Sequence, residues 1–476
     1  MTGPSSGPFP WSAGFESLDR ETDERLTEID GSIPAGLRGT LFRNGSGRNQ
    51  LGGEWFPHWF DGDGLLQAIT FDERGIRYRN RFVATANYRE ESAAGRTLHR
   101  GFGKMRPGGV LGGFFANALR QPANVSNTSV VIEAGRLLSL WEGGPPYELD
   151  PATLDTRGVA DYGGALKAFS AHPKIDAATG ELFNFGIDYG PTTQLTPYRL
   201  KDGVVTRLPA VKLPYPLMNH DFALTEHYLV FCLGPILVRS LAMVLGFTSF
   251  DGALHWEPSR PTLILLLPRD GKGKPRWIET EPFFQFHFAN GFERDGTVVL
   301  DLARYPDYRT IGEALRTYWR SPWPVDGMAK LVRLTVDLGS GKVAARGYAS
   351  GSANEFPRIN PAATGKPYRF AWIACHPADW KQGLQQQIAK VDLESGTVAT
   401  HDFGPDCYVG EPVFVPTKLG GAEDDGVIVS QIFDAARKRS VIIGLDARDV
   451  AARPLFSAPL GQAVPYSLHG YFAAQT

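Results

Sequence analysis

Four histidines and three glutamates, far apart in the chain, carry most of the chemistry this sequence offers. There are ten histidines in all; none forms a His-x-x-x-His pair or joins a cysteine-rich cluster, so no local metal motif is present. Four of them share a setting. His172 stands in Phe169-Ser170-Ala171-His172-Pro173 and His220 in Met218-Asn219-His220-Asp221-Phe222. His287 stands in Phe286-His287-Phe288-Ala289-Asn290 and His469 in Ser467-Leu468-His469-Gly470-Tyr471. Apolar or small neighbours beside an expected strand point to burial. A buried neutral imidazole needs a partner on each ring nitrogen, and a metal can be one of them. Glu142, Glu355 and Glu411 can be the other, because each lies among apolar, glycine or proline residues where a solvated carboxylate is out of place. Taken singly, each of these residues reads as ordinary core or turn; the combination is what points to a metal centre.

Such separated residues meet only if strand ends converge. The texture of the chain is all-β. Short runs of Val, Ile, Leu, Phe and Tyr alternate with turn signals. Asp202-Gly203, Asp270-Gly271, Asp295-Gly296 and Asp425-Gly426 read as tight turns, as do Thr179-Gly180 and Ser395-Gly396. Strands are expected at 137–141, 182–187, 228–233, 262–267, 298–302, 331–336, 369–374, 387–392, 427–432 and 440–446. One short helix is expected at 311–318. So many short antiparallel strands need a closed or radial arrangement to hide their edges. A β-propeller fits the length and brings strand ends to a central axis. Seven blades of about 60 residues would fill the 476-residue chain. No linker or low-complexity stretch divides it, so residues 1–476 read as a single domain.

Composition removes other classes. Lys plus Arg total 49 against 51 for Asp plus Glu, a net charge of -2, so nothing marks a nucleic-acid partner. The hydrophobic share of 42% excludes a disordered chain. Cys232, Cys375 and Cys407 are too few for a secreted disulfide framework and read as free thiols in the cytoplasm. No secretory signal is visible at the N-terminus. Two apolar segments stand out, 108–119 and 229–250. Gly234, Pro235 and Arg239 interrupt the second, which argues against a spanning helix. Both segments read either as core or lid packing or as a patch that dips into a membrane surface.

The chain resembles the carotenoid cleavage oxygenases over nearly its whole length, and among them the bacterial apocarotenoid oxygenases most. The resemblance rests on ordered matches, including Gly39-Thr40-Leu41-Phe42-Arg43-Asn44-Gly45, Phe60-Asp61-Gly62-Asp63-Gly64, Ser170-Ala171-His172-Pro173 and Asn219-His220-Asp221-Phe222. It continues through His287-Phe288-Ala289-Asn290-Gly291, Glu355-Phe356-Pro357, Gly410-Glu411-Pro412, Glu423-Asp424-Asp425-Gly426 and Pro465-Tyr466-Ser467-Leu468-His469-Gly470.

The resemblance implies a seven-bladed β-propeller with a dome of loops and short helices over one face. It implies a non-haem Fe(II) on His172, His220, His287 and His469. Glu142, Glu355 and Glu411 would orient His220, His287 and His469, leaving His172 without a carboxylate. Thr128 matches a position whose methyl group crowds the open iron position. The implied reaction cleaves a conjugated C=C bond of an apocarotenoid or carotenoid with O2 into two carbonyls, with central cleavage to retinal. Trp141, Phe286 and Phe60 are candidates for an aromatic wall along the polyene. Apolar dome segments near Phe114–Phe115 and within 241–250 would bind a membrane peripherally, and no obligate protein partner is evident.

Two other readings stay open. Stilbenoid-cleaving relatives carry a lysine just before the first of these glutamates, where this chain has Trp141. A non-catalytic polyene-binding propeller would have no need of all seven metal-site residues.

Overall fold

Several hairpins follow directly from their turn residues. Asp202 and Gly203 have φ of 50° and 79°, and Asp295 and Gly296 have 48° and 73°. Two successive positive φ values make the turn whose twist matches the flanking strands. The first pair joins Thr193–Lys201 to Val204–Arg207, and the second joins Phe284–Arg294 to Thr297–Tyr305. Ala134-Gly135, unremarkable as sequence, does the same between Ser129–Glu133 and Arg136–Leu140. Asp425-Gly426 does not form the expected turn. Gly426 opens the strand Gly426–Asp434, and a Cβ there would lie 2.6 Å from the Phe414 ring. Close packing, not positive φ, requires that glycine.

The computed structural model describes residues 7–106, 116–190, 192–348, 353–418 and 420–475. Its strands form seven antiparallel sheets of four to six strands, the blades of a β-propeller, with two small two-stranded sheets besides. Every strand expected from the sequence is present. The short helix falls at Arg309–Arg316, with Ile311, Ala314 and Leu315 buried. The ring closes twice. Gly39–Arg48 pairs with Ser467–Ala474, and Asp30–Gly31 pairs with Phe456–Pro459, so a late strand completes an N-terminal blade and an N-terminal segment edges a blade of late strands.

Blades pack face to face because their strands are apolar on both sides. In Tyr228–Leu233, Leu229, Phe231 and Leu233 point one way and pack with Phe185, Leu195 and Phe222. Val230 and Cys232 point the other way and pack with Phe288, Val298 and Leu300. The period of two along a strand thus serves two neighbouring blades at once. Over one face lie short helices, including Pro10–Phe15, Trp59–Asp61, Ser240–Val244, Phe250–Ala253 and Arg309–Arg316. Their apolar side chains share one core with Phe284, Phe286 and Tyr305 of the sheet beneath.

The apolar segment 229–250 is divided by this fold. Tyr228–Leu233 and Ile236–Val238 are strands in the interior, so that stretch is core and not a surface patch. Beyond Arg239 the chain emerges, and Leu241 is 73% and Phe247 68% exposed. Of segment 108–119, residues 108–115, with Phe114 and Phe115, lie outside the described residues. Leu119, at its end, is 81% exposed, and its N–H donates to Val244 O at 2.8 Å. The two segments therefore meet. Gly246, at φ 76°, lies against the Ala118 backbone, where a Cβ would come within 2.6 Å. Among the described residues no helix is long and apolar enough to cross a membrane.

Candidate metal centre

His287 and His469 sit within the strands Phe284–Arg294 and Ser467–Ala474. His172 and His220 stand two and three residues ahead of the short strands Lys174–Ile175 and Ala223–Leu224. Register shifts between Gln285 and Phe288 and between Phe288 and Asn290 bend the first of these strands around His287, a common device for aiming one side chain. The four imidazoles are buried, and their ligand atoms all lie within 4.8 Å of one another. His172 Nε2 is 2.8 Å from His220 Nε2. The rings are steeply inclined, His172 to His469 by 85° and His287 to His469 by 72°.

Three carboxylates stand behind these rings. Glu355 Oε2 is 2.6 Å from His287 Nδ1, and Glu411 Oε1 is 2.9 Å from His469 Nδ1. Glu142 pairs with His220 Nδ1. With Nδ1–H donated outward, each Nε2 lone pair faces the shared centre. His287 Nε2 is buried and has no hydrogen-bond partner among the described residues, which is the state a metal would satisfy. Burial, then the neighbouring imidazoles, pushes His172 well below the usual histidine range. Burial also brings His469 down to about 4, against the pull of Glu411. Burial alone would raise Glu411, but Arg358, then His469 and Arg43, hold it at about 2. Four imidazole nitrogens backed by carboxylates are a donor set for a divalent transition ion, so the residues present fit an iron site.

A cavity of about 1110 Å³ opens beside His220. Phe60, Thr128, Trp141 and Glu142 line it, as do Phe102, Tyr189, Met218 and Phe250. It extends to Leu241 and Val244, next to the exposed apolar patch. Thr128 Oγ1 donates to Asn127 Oδ1 at 3.1 Å, which leaves its methyl group as the apolar part. Gly143 presses on Trp141, whose ring a Cβ would meet at 2.5 Å. Phe286 does not line the cavity. It packs edge-on to His220, with centroids 5.0 Å apart, and to Phe284 at 4.7 Å.

The family described as retinal pigment epithelial membrane protein matches residues 15–474. Apocarotenoid-15,15'-oxygenase of Synechocystis is 36% identical, covering 98% of this chain and 97% of its own. A carotenoid 9,10(9',10')-cleavage dioxygenase of Pisum sativum is 30% identical over 99% of this chain and 91% of its own. The crystal structure of cobalt-substituted Synechocystis apocarotenoid oxygenase superposes with a TM-score of 0.89 at 34% identity, covering 98% of each chain. The chain belongs to the carotenoid cleavage oxygenases.

Several residues that shape the centre of this carotenoid cleavage oxygenase were not anticipated. Tyr305 donates its hydroxyl to Glu355 Oε1 at 2.7 Å, and the Phe356 N–H donates to Oε2 at 2.7 Å. Phe356 holds φ of 54°, a left-handed conformation unusual for an aromatic residue, and stacks on His287 at 5.5 Å. Gly470 N–H donates to Glu411 Oε2 at 2.7 Å, and Arg358 Nη1 stands 3.5 Å from Oε1. Arg43, fully buried, donates to Glu411 O at 3.0 Å and to Ser467 Oγ at 2.7 Å. Arg43 and Phe356 fall inside stretches that carried the resemblance, and that position was their one signal in the sequence. Tyr305 and Arg358 carried none, since their partners lie 50 and 53 positions away.

Proposed function

We propose that this oxygenase uses Fe(II), held by His172, His220, His287 and His469, to cleave a conjugated C=C bond of an apocarotenoid with O2. The products would be two carbonyls, and central cleavage to retinal is the favoured outcome. The observation that carries this reading is the apolar cavity opening at His220, beside a cluster of four buried histidines. Ferrous iron in such a site supplies the activation of dioxygen. The protein supplies the rest. Glu142, Glu355 and Glu411 fix ring orientation and offset positive charge from outside the ligand set. The Thr128 methyl narrows the approach on the cavity side. Phe60, Trp141, Phe102 and Phe250 hold a rigid polyene and exclude water. Their π faces can also stabilise positive charge developing along it. How far the polyene slides past His220 decides which bond is cut.

Trp141, where stilbenoid-cleaving relatives carry lysine, supports a polyene over a phenolic stilbene. Leu119, Leu241 and Phe247 beside the cavity end support peripheral binding to a membrane, from which a lipophilic substrate is drawn. The unpaired thiols Cys232, Cys375 and Cys407 support a reducing compartment such as the cytoplasm. The test is to load the protein with Fe(II), add apo-8'-carotenal in mild detergent under air, and follow absorbance and product masses. Retinal plus a short dialdehyde is the expected result. Cleavage of resveratrol or isoeugenol with no turnover of the carotenal would overturn it.

A further inference from the structure

Phe60, Phe102 and Phe250 form one side of the cavity, with neighbouring ring centroids 5.5 and 5.2 Å apart. They come from three separate dome segments, and no sheet holds them together. Behind them lies His58, fully buried, its ring 5.0 Å from Phe60 and 4.6 Å from Phe102. His58 Nδ1 accepts the Phe60 N–H at 3.1 Å. Burial, reinforced by Arg316, brings His58 down to about 3, so it is neutral and its proton sits on Nε2.

That Nε2 lies 4.0 Å from Asp251 Oδ1. The gap is too long for a direct hydrogen bond. Both atoms are buried, and neither has a hydrogen-bond partner among the described residues. The other Asp251 oxygen, Oδ2, accepts from Arg316 Nε at 2.7 Å, and the Asp251 N–H donates to Phe102 O at 2.9 Å. A buried donor and a buried acceptor, both unpaired and too far apart to meet directly, are the partners one bridging water requires.

We propose that His58 and Asp251 hold one buried water, and that this node fixes the Phe60–Phe102–Phe250 wall and so the depth to which a polyene enters. The water accepts from His58 Nε2 and donates to Asp251 Oδ1. With the Asp251 N–H on Phe102 O, it ties together the three segments that carry Phe60, Phe102 and Phe250. His58 and Asp251 are positioning residues, since neither lines the cavity. The role in bond choice rests on reading the cavity as a polyene tunnel; the water site does not.

The test pairs crystallography with product analysis, using the iron-loaded full chain and the variants His58→Phe and His58→Gln. The wild-type crystal structure is expected to show a water within hydrogen-bonding distance of His58 Nε2 and Asp251 Oδ1. In His58→Phe, which removes the Nε2 donor, that water is lost or displaced and the Phe250 ring shifts. With apo-8'-carotenal, products from neighbouring double bonds then rise severalfold while iron content stays at the wild-type level. A direct His58–Asp251 contact with no water would overturn the node. Unchanged product distributions in both variants would overturn its role in bond choice. Should the wild type cleave no polyene, the tunnel reading falls and the crystallographic water alone decides the node.

Discussion

The metal centre has two unlike sides. Glu411 is 1% exposed as a side chain and is surrounded by Gly470 N–H, Arg358 and the buried Arg43. Glu142, which serves His220, is 32% exposed and lines the cavity. One side is anchored in the propeller interior by charge and hydrogen bonds. The other faces the cavity, where the carboxylate that serves His220 is partly open to solvent. The deep carboxylate is held from several directions, and the cavity-side one is left open to solvent.

The contrast can be broken or sharpened. His287→Ala removes a ligand on the deep side and should cost more than about 100-fold in turnover, beyond what an outer carboxylate contributes. Iron content measured by metal analysis should fall with it; retention of iron and full turnover would end the assignment. Glu411→Gln should weaken iron affinity toward the upper end of the range of about 10–100-fold, and Glu142→Gln toward its lower end. Competition with a chelator measures both, and equal losses would erase the distinction between the sides. On the cavity side, Phe247→Ser should reduce binding to phospholipid vesicles by about tenfold, the scale of one buried aromatic side chain. Cosedimentation reads this, and the iron content should not change. The smallest effect concerns acid stability without metal. Glu411 is depressed from 4.5 to about 2, so it stabilises the fold above its unfolded value, and that contribution is lost as pH falls through the folded one. Thermal melts of the metal-free protein should lose stability between about pH 4.5 and 2, and Glu411→Gln should flatten that slope.

Much of this was legible because the signatures are local. An Asp-Gly pair between apolar runs states its own turn at Asp202 and Asp295. A histidine among apolar residues states its own burial, as His172 and His220 do. Asp425-Gly426 misled because glycine also serves close packing, and only the Phe414 ring distinguishes the two. Segment 229–250 reads as one apolar run, yet it crosses from a blade interior to the surface at Arg239; hydropathy does not separate a core strand from an exposed patch. Phe286 reads in the sequence as a candidate for the cavity wall, but the fold packs it edge-on to His220 and outside the lining. Tyr305 and Arg358 act on carboxylates brought near only by the folded ring.

The double closure of the ring has a consequence for the order of assembly. His469 lies in the strand that pairs with Gly39–Arg48, so the segment that clasps the ring also delivers a candidate ligand. During synthesis from the N-terminus, the blades can form one after another, but the four histidines meet only when that late strand docks. Contacts of such long sequence separation form slowly. The full set of four candidate ligands is thereby complete only once that strand has docked. An incomplete chain, emerging in the presence of iron and oxygen, has no finished site at which to bring the two together.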